Sequence, residues 1–214
     1  MPSAVSPEEA EQDRIMRGLL ESVERDSGQS QRRLASELGI ALGLVNAYLK
    51  RCIKKGLVKV RSAPTRRYAY YLTPQGFAEK SRLTVDYLSY SFGFFRQAKT
   101  DCLELFKAAS ERGIHKVLLV GQTDLAEIAA LCAMERGINI AGVVQKGAEK
   151  PEFIGLPVFE NYDAVSVPFD AVLIADLLKP RDACDAAVAR FGIERVLVPD
   201  LLRVRMRQKR GSSK

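Results

Sequence analysis

The stretch from residue 30 to residue 73 constrains the fold of this chain more than any other part of its sequence. Two short helices are predicted there, at about 31–38 and 41–54, each with apolar residues on one face. Gly39 stands just after the first helix, where helices commonly end in a left-handed glycine. The residues that define the two apolar faces are Leu34, Ala35 and Leu38 in the first helix and Val45, Tyr48, Leu49 and Ile53 in the second.

Strand signals follow these helices directly. Gly56 is predicted to end the second helix, and residues 57–60 and 68–72 are predicted to form two strands around a turn at 63–65. Two helices joined by a tight turn and followed by a hairpin are typical of a winged helix-turn-helix, whose second helix enters the DNA major groove. The fold class predicted for residues 1–73 is therefore an α+β winged helix.

The charge of this region points to double-stranded DNA as its partner. Ten Lys and Arg residues between positions 29 and 73 stand against one acid, Glu37, for a net charge of +9. The alternative is a solvated helical hairpin whose charges only keep it soluble. Asn46 is the candidate for reading a base, because an amide can bond adenine bidentately. The predicted DNA contacts are Arg32, Arg33, Gly43, Leu44, Asn46, Ala47, Lys50, Arg51, Lys54, Arg61, Arg66 and Arg67.

Residues 74–112 are predicted to form a helical linker. Thr73 is placed to cap it, Pro74 suits its first position, and Gly93 is the weakest point of the helical pattern. We therefore expect two helices or one kinked helix. Its surplus of Tyr, Phe and Leu has two interpretations: the segment covers the back of the two domains within one chain, or it pairs with its twin in a homodimer. We favour the homodimer, because readers of DNA half-sites are commonly dimers.

From Gly113 to residue 200 the pattern changes to apolar strands that alternate with helices. Strands are predicted at 116–120, 138–144, 156–159, 170–175 and 195–198, and helices at 124–136 and 180–190. Such a pattern predicts an α/β domain with a parallel sheet covered on both faces. Open parallel sheets bind ligands at the carboxyl ends of their strands. The tentative ligand contacts are therefore Gly121, Gln122, Thr123, Gln145 and Asp176, although Asp176 equally suits a loop cap.

Both halves of the chain resemble known families. Residues 6–82 resemble MarR-like winged-helix regulators of bacteria, and the stretch LTPQGFAEKSRLT resembles the junction in regulators associated with polysaccharide gene clusters. Residues 113–200 resemble the Rossmann-like domains of CoA-binding proteins and of sugar acyltransferase N-terminal regions, through VLLVGQTDLAEIAALCAMERGINIAGVV and FIGLPVF. The domain order resembles that of the Rex repressors. These resemblances imply a sequence-specific transcription regulator with a sensing or assembly domain.

The first turn of the α/β domain departs from the dinucleotide-binding pattern. The segment 121–126 has a single glycine where a fingerprint needs three, and Asp124 would repel a pyrophosphate at the helix start. Gln145 and Lys146 stand where NAD enzymes hold a ribose with an acid. We therefore expect no cofactor and no NAD binding. A small phosphorylated compound or nucleotide-sugar remains as an effector, and a domain used only for assembly is the other outcome.

An enzyme is not expected, because a single histidine, His115, leaves no Ser/His/Asp set to assemble. The rival interpretation is an NAD- or CoA-using enzyme with an appended helical domain.

The four cysteines lack metal-site spacing and are expected to pack in the core of a cytoplasmic protein, with a redox-sensing thiol as the alternative. No membrane association is expected. The tail at 201–214 has six basic residues and no acid, which suits either a solvated end or additional phosphate contact.

Overall fold

The computed structural model describes residues 7–63 and 67–204, and the chain divides between Phe92 and Gly93 into two compact units. Arg66, the side chain of Arg67 and residues 205–214 of the predicted basic tail lie outside the described residues. Within the described ranges, no helix combines the length and the apolar character that a membrane crossing needs.

The N-terminal unit consists of three helices, a hairpin and the first half of a long helix. The elements are α1 Pro7–Arg25, α2 Gln31–Leu38, α3 Leu42–Lys54, β1 Val58–Ala63, β2 Arg67–Leu72 and α4 Pro74–Glu111. β1 and β2 pair antiparallel, with Val58 opposite Leu72 and Ala63 opposite Arg67. The predicted winged helix is confirmed.

Local capping interactions set the ends of α2. The Oγ atom of Ser30 accepts a hydrogen bond from the backbone N–H of Arg33 at 3.2 Å, which satisfies one of the free amides of the first turn. Gly39 ends the helix at φ 64°, a left-handed conformation that favours glycine. α3 begins at Leu42, with Ala41 as its N-cap, one residue later than predicted.

The core of the N-terminal unit corrects one residue of the predicted apolar face. Val45, Tyr48, Leu49 and Cys52 of α3 are buried, whereas Ile53 is 37% exposed. At about 100° per residue, position 52 falls between positions 48 and 49 around the helix, and position 53 lies at the edge of the stripe. The other buried apolar side chains are Ile15, Met16, Leu19, Leu20, Val23, Leu34, Leu57, Val58, Tyr70 and Leu83.

α4 is one continuous helix of 38 residues, which excludes two helices, one of the two alternatives predicted around Gly93. A glycine inside a helix costs only about 1 kcal/mol relative to alanine, which the packing of a long helix can offset. Leu83 is buried in the core of the N-terminal unit, and Ala98 and Phe106 in that of the C-terminal unit. The helix start is fixed by Thr73, whose Oγ1 donates to the carbonyl oxygen of Gly56 at 2.6 Å and accepts from the N–H of Gly76 at 3.0 Å.

The C-terminal unit is a six-stranded sheet with helices. Its further elements are β3 Lys116–Val120, α5 Asp124–Arg136, β4 Asn139–Val144, β5 Glu152–Phe153, β6 Leu156–Phe159, β7 Ala171–Ile174, α6 Pro180–Phe191 and β8 Val196–Leu197. The strand order is β5-β6-β4-β3-β7-β8, with β5 antiparallel to β6 and every other pair parallel. The predicted α/β class is confirmed, and β5 is an addition that its two residues were too few to predict.

Alternate residues of the strands face opposite sides of the sheet. Val117 and Leu119 face the cluster formed with α5 and the second half of α4, while Leu118 and Val120 face the cluster formed with α6. This arrangement explains the continuous apolar strands, since both faces of a parallel sheet are covered. The parallel strands run in the order third, second, first, fourth, fifth along the chain, so the order reverses between β3 and β7.

Two capping interactions set the starts of elements at the sheet. The N-cap of α5 is Thr123, whose Oγ1 accepts from the N–H of Ala126. The start of β3 is held by the Asp170 carboxylate, which accepts from the backbone N–H groups of His115 and Lys116 at 2.9 and 2.8 Å. These two hydrogen bonds lower the pKa of Asp170.

Candidate nucleic-acid interface and candidate ligand cleft

One side of α3 is exposed over its whole length, and it carries every residue of this helix for which the sequence predicts DNA contact. The opposite side carries the buried residues Val45, Tyr48, Leu49 and Cys52, so the division follows from the helical repeat. The exposed predicted contacts are Gly43, Leu44, Asn46, Ala47, Lys50, Arg51 and Lys54.

A cluster of positive charge lies at the C-terminal end of α3. Lys50, Arg51, Lys54 and Lys55 line one shallow depression of about 590 Å³. The Arg51 guanidinium lies 5.4 Å from the ring centre of Tyr48. Within the described part of the chain, the four cations of this cluster form no ion pair. Their charge is therefore available to an external anion such as a DNA phosphate.

A second basic surface surrounds the start of α2. Arg32 and Arg33 lie in its first turn and line an open cleft of about 610 Å³ together with Leu42 and Tyr68. The Arg33 guanidinium is 3.6 Å from the Asp26 carboxylate, in an exposed pair that contributes little to stability. The structure thus brings the beginnings of α2 and α3 and the strand β2 to the rim of one cleft.

The wing contributes Arg61, whose guanidinium lies 5.8 Å from the ring centre of Tyr71. The predicted contact at Arg66 and the side chain of Arg67 fall outside the described residues. Three further exposed residues lie beside the predicted set: Leu42, Lys55 and Tyr68. The sequence contains features that mark these residues: Leu42 begins α3, Lys55 extends the basic end of that helix, and Tyr68 directly follows the basic turn.

A second candidate site lies at the carboxyl ends of β3, β4 and β7, where the strand order reverses. An open cleft of about 370 Å³ is lined there by four of the five predicted ligand contacts: Gln122, Thr123, Gln145 and Asp176. Gly121 is placed beneath it at φ 105°, and a Cβ at this position would come within 2.8 Å of the Asp176 backbone nitrogen. Glycine at 121 is thus required for the close approach of two strand ends.

Gln145, Thr123 and Asp176 of this cleft are hydrogen-bonded within the protein. The Gln145 Oε1 accepts from the N–H of Gln122 at 3.0 Å, and the Thr123 Oγ1 donates to the Ala175 carbonyl oxygen at 2.6 Å. The Asp176 Oδ1 accepts from the N–H groups of Leu178 and Lys179 at 2.8 and 2.9 Å. Asp176 therefore caps its own loop, one of the two roles its position allowed, while also lining the cleft.

Residues of the 145–153 connection and of the loop after β7 complete the cleft and were missed. No periodic pattern marks them, since they belong to loops and to the short strand β5. They are Gly147, Ala148, Glu149, Lys150, Glu152, Phe153 and Leu178.

Comparison with known proteins assigns the N-terminal unit. Residues 12–59 match the family model described as winged helix-turn-helix DNA-binding. This unit is a winged helix-turn-helix DNA-binding domain. The match begins within α1, covers α2 and α3 and ends within β1.

Solved structures similar to parts of the chain include MarR-family proteins. The PcaV transcriptional regulator of Streptomyces coelicolor, with its natural ligand, is 22% identical over 38% of this chain and 59% of its own, at a TM-score of 0.36. A MarR family protein of Mycobacterium tuberculosis with p-aminosalicylic acid is 21% identical over 33% of this chain and 55% of its own, at 0.30. The chain thus spans little more than half the length of either protein.

A further similar structure is human N-acetylserotonin methyltransferase with SAM. It is 14% identical over 83% of this chain and 73% of its own, at a TM-score of 0.27. No curated protein matches the chain.

The winged helix-turn-helix domain and the α/β unit both keep their cysteines inside. Cys52, Cys102, Cys132 and Cys184 are buried and free. Burial raises the pKa of the Cys52 thiol to about 11 and that of Cys102 to about 12. A thiol with such a pKa stays protonated at neutral pH, which supports packing over redox sensing.

Proposed function

We propose that this protein is a sequence-specific DNA-binding transcription regulator whose α/β unit senses a ligand or serves assembly. The observation that carries the proposal is the exposed face of α3, with its uncompensated basic end, in a domain that matches the winged helix-turn-helix model. A major groove about 12 Å wide admits one α-helix, and exposed Lys and Arg next to such a helix neutralise the flanking phosphates.

Different parts of the basic surface take different roles in this proposal. Asn46, exposed midway along α3, reads a base edge, while Lys50, Arg51 and Lys54 contact phosphates. The wing contacts phosphate or the minor groove through Arg61, Arg66 and Arg67. Replacing Arg61 by alanine should then lower the slope of log affinity against log salt by about one unit and leave sequence preference unchanged.

The proposed regulator acts as a homodimer through α4. Val85, Leu88 and Phe92 are exposed large apolar residues spaced three and four apart, so they share one face of the helix. Tyr90 is exposed as well, at 68%. A second copy that presents the same face would bury these side chains, and two copies would read two half-sites about one DNA turn apart.

The dimer is tested with charged substitutions on this face. Val85→Lys with Phe92→Lys should give monomers in sedimentation, whereas Glu104→Lys, an exposed change farther along α4, should not. Phe94 is unsuitable for such a test, because it is partly buried against the core of the C-terminal unit. A wild-type chain that sediments as a monomer at micromolar concentration would contradict the proposal.

DNA recognition is tested by selecting binding sites from random duplexes and measuring affinity for the selected site against a scrambled one. A regulator should prefer the selected site by at least about 10³-fold at physiological salt. Equal affinity for both duplexes would show that the protein is a basic module without sequence preference. The rival, an NAD- or CoA-using enzyme, predicts saturable binding of NAD or CoA, which calorimetry measures directly.

The place proposed for sensing is the cleft at the carboxyl ends of the sheet. It combines the position at which open parallel sheets bind ligands with a volume of about 370 Å³, within the range of small-molecule sites. The effector expected from the sequence is a small phosphorylated compound or a nucleotide-sugar. The hydrogen bonds and charges of the cleft indicate whether it suits a phosphorylated ligand.

A further inference from the structure

The cleft of the α/β unit lies at the carboxyl ends of the strands, where other open sheets bind phosphate, but the N–H of Gln122 at this place is already engaged. The N–H of Gln122, between the end of β3 and the start of α5, would point at an anion bound in this crevice. The Gln145 Oε1 accepts a hydrogen bond from that N–H at 3.0 Å, and the Gln145 Nε2 donates to the Lys146 carbonyl oxygen at 3.1 Å. One oxygen acceptor and one nitrogen donor are matched, so the amide orientation is defined.

Three further amides near the cleft are also engaged. Thr123 accepts from the N–H of Ala126, and the Asp176 carboxylate takes those of Leu178 and Lys179. The charges oppose an anion as well, since Glu149, Glu152 and Asp176 line the cleft with Lys150 as the one cation among the lining residues. A phosphate entering the cleft would meet negative charge and no free backbone donor at Gln122.

We propose that Gln145 occupies the anion position of this cleft and thereby selects an uncharged or cationic effector in place of a phosphorylated one. The inference rests on the sensing role proposed above and names the ligand class of that site. Apolar contact comes from Phe153 and from Leu178, which is 91% exposed at the rim. A leucine so exposed gains by covering an apolar part of a ligand.

The test titrates the full chain with inorganic pyrophosphate and follows the backbone amide resonance of Gln122 by NMR. This readout is local, so it separates the cleft from anion binding on the basic face of α3. The wild-type resonance should not move. Gln145→Ala frees the N–H, and Gln145→Lys frees it and adds a positive charge, so both should show saturable shifts, about tenfold tighter for the lysine variant.

Gln145→Glu is the matched control, because its carboxylate keeps an acceptor at the same place and adds repulsion. Its Gln122 resonance should stay still, as in the wild type. A shift in the wild type, or folded Ala and Lys variants that fail to respond, would overturn the proposal. DNA binding measured on the same variants should be unchanged. Absence of specific DNA binding in every variant would refute the regulator proposal and leave the pyrophosphate result standing.

Discussion

The exposed face of α3 and the cleft of the α/β unit differ in whether their polar groups have partners within the protein. At the basic end of α3, four cations are exposed and form no ion pair within the described residues. At the cleft, the N–H of Gln122, the Thr123 hydroxyl and the Asp176 carboxylate all have partners inside the protein. An unpaired charge in water costs little and attracts a polyanion from a distance, whereas hydrogen bonds already made must be replaced by any ligand.

For the two proposed sites, this difference predicts two kinds of recognition. A surface that neutralises phosphates gains affinity from each cation and loses it as salt rises. A cleft lined by Glu149, Glu152 and Asp176, with the Gln122 amide engaged, disfavours an anion and depends more on shape and apolar contact. The effects of substitutions at the two sites should therefore differ in salt dependence as well as in magnitude.

The largest effect is expected from reversing the charge of the α3 cluster. Lys50→Glu, Arg51→Glu and Lys54→Glu together should weaken DNA binding by at least about 100-fold near 0.1 M salt, because three attractive phosphate contacts become repulsive. Lys107→Glu with Arg181→Glu changes exposed charges outside the winged helix-turn-helix domain and serves as the control. Gel-shift titrations measure both. Equal losses in the two variants would mean that only net charge matters.

A smaller and more selective effect is expected at Asn46. Asn46→Ala should relax preference at a single base pair by about 1–3 kcal/mol, because the amide is proposed to bond one base edge. Competition among duplexes with single-base changes measures it. Lys50→Ala is the comparison and should weaken binding to all duplexes alike. If Asn46→Ala does the same, its base-reading role is wrong.

In the α/β unit, a substitution at Gly121 is expected to change stability instead of binding affinity. Gly121→Ala adds a Cβ at φ 105° that would lie 2.8 Å from the Asp176 backbone. It should lower the free energy of unfolding of this unit by about 1–3 kcal/mol, the usual range for backbone strain, with further loss from the steric clash. Gly113→Ala isolates the strain, since φ there is 77° and no atom lies within 4 Å of the added carbon. Hydrogen exchange of the β3 amides measures both, and equal losses would show that the close approach at Gly121 is unimportant.

The smallest effect is expected from the basic tail. Deleting residues 203–214 should weaken DNA binding a few-fold near 0.05 M salt and hardly at all near 0.3 M, because the contact proposed for its cations is electrostatic and screened. Affinity measured at both salt concentrations decides the matter. An affinity unchanged at low salt would support the interpretation of the tail as a solvated end.

The sequence predicted the helices and strands well wherever local chemistry determines them. α2 and α5 have the predicted bounds, because Ser30 and Thr123 stand before them and Gly39 and Gly137 after them. Ile53 was assigned to the core wrongly, since a residue at the edge of an apolar stripe is buried or exposed according to its neighbours in space. Around Gly93 the sequence allowed two helices or one kinked helix, and the continuous α4 excludes the first, because the local cost of a glycine is small beside the packing along the helix.

The candidate sites were predictable to different degrees. On α3 the helical repeat separates most exposed residues from the buried ones, with Ile53 as the exception, so the candidate DNA contacts could be chosen from the spacing. At the cleft, Gln122, Thr123, Gln145 and Asp176 could be placed together, because parallel strands end at one edge of a sheet. Their hydrogen bonds could not be predicted, since Gln122 and Gln145 are separated by a helix and a strand.

The sequence by itself thus determined the winged helix, the parallel sheet and the charge of the α3 face, because capping, periodicity and charge are properties of neighbouring residues. Only the tertiary structure decided that Gly121 must be glycine and that Gln145 takes the amide of Gln122. Both depend on where the ends of β3, β4 and β7 meet. A contact between residues far apart in the chain is set by the packing of whole elements, and no local pattern in the sequence records it.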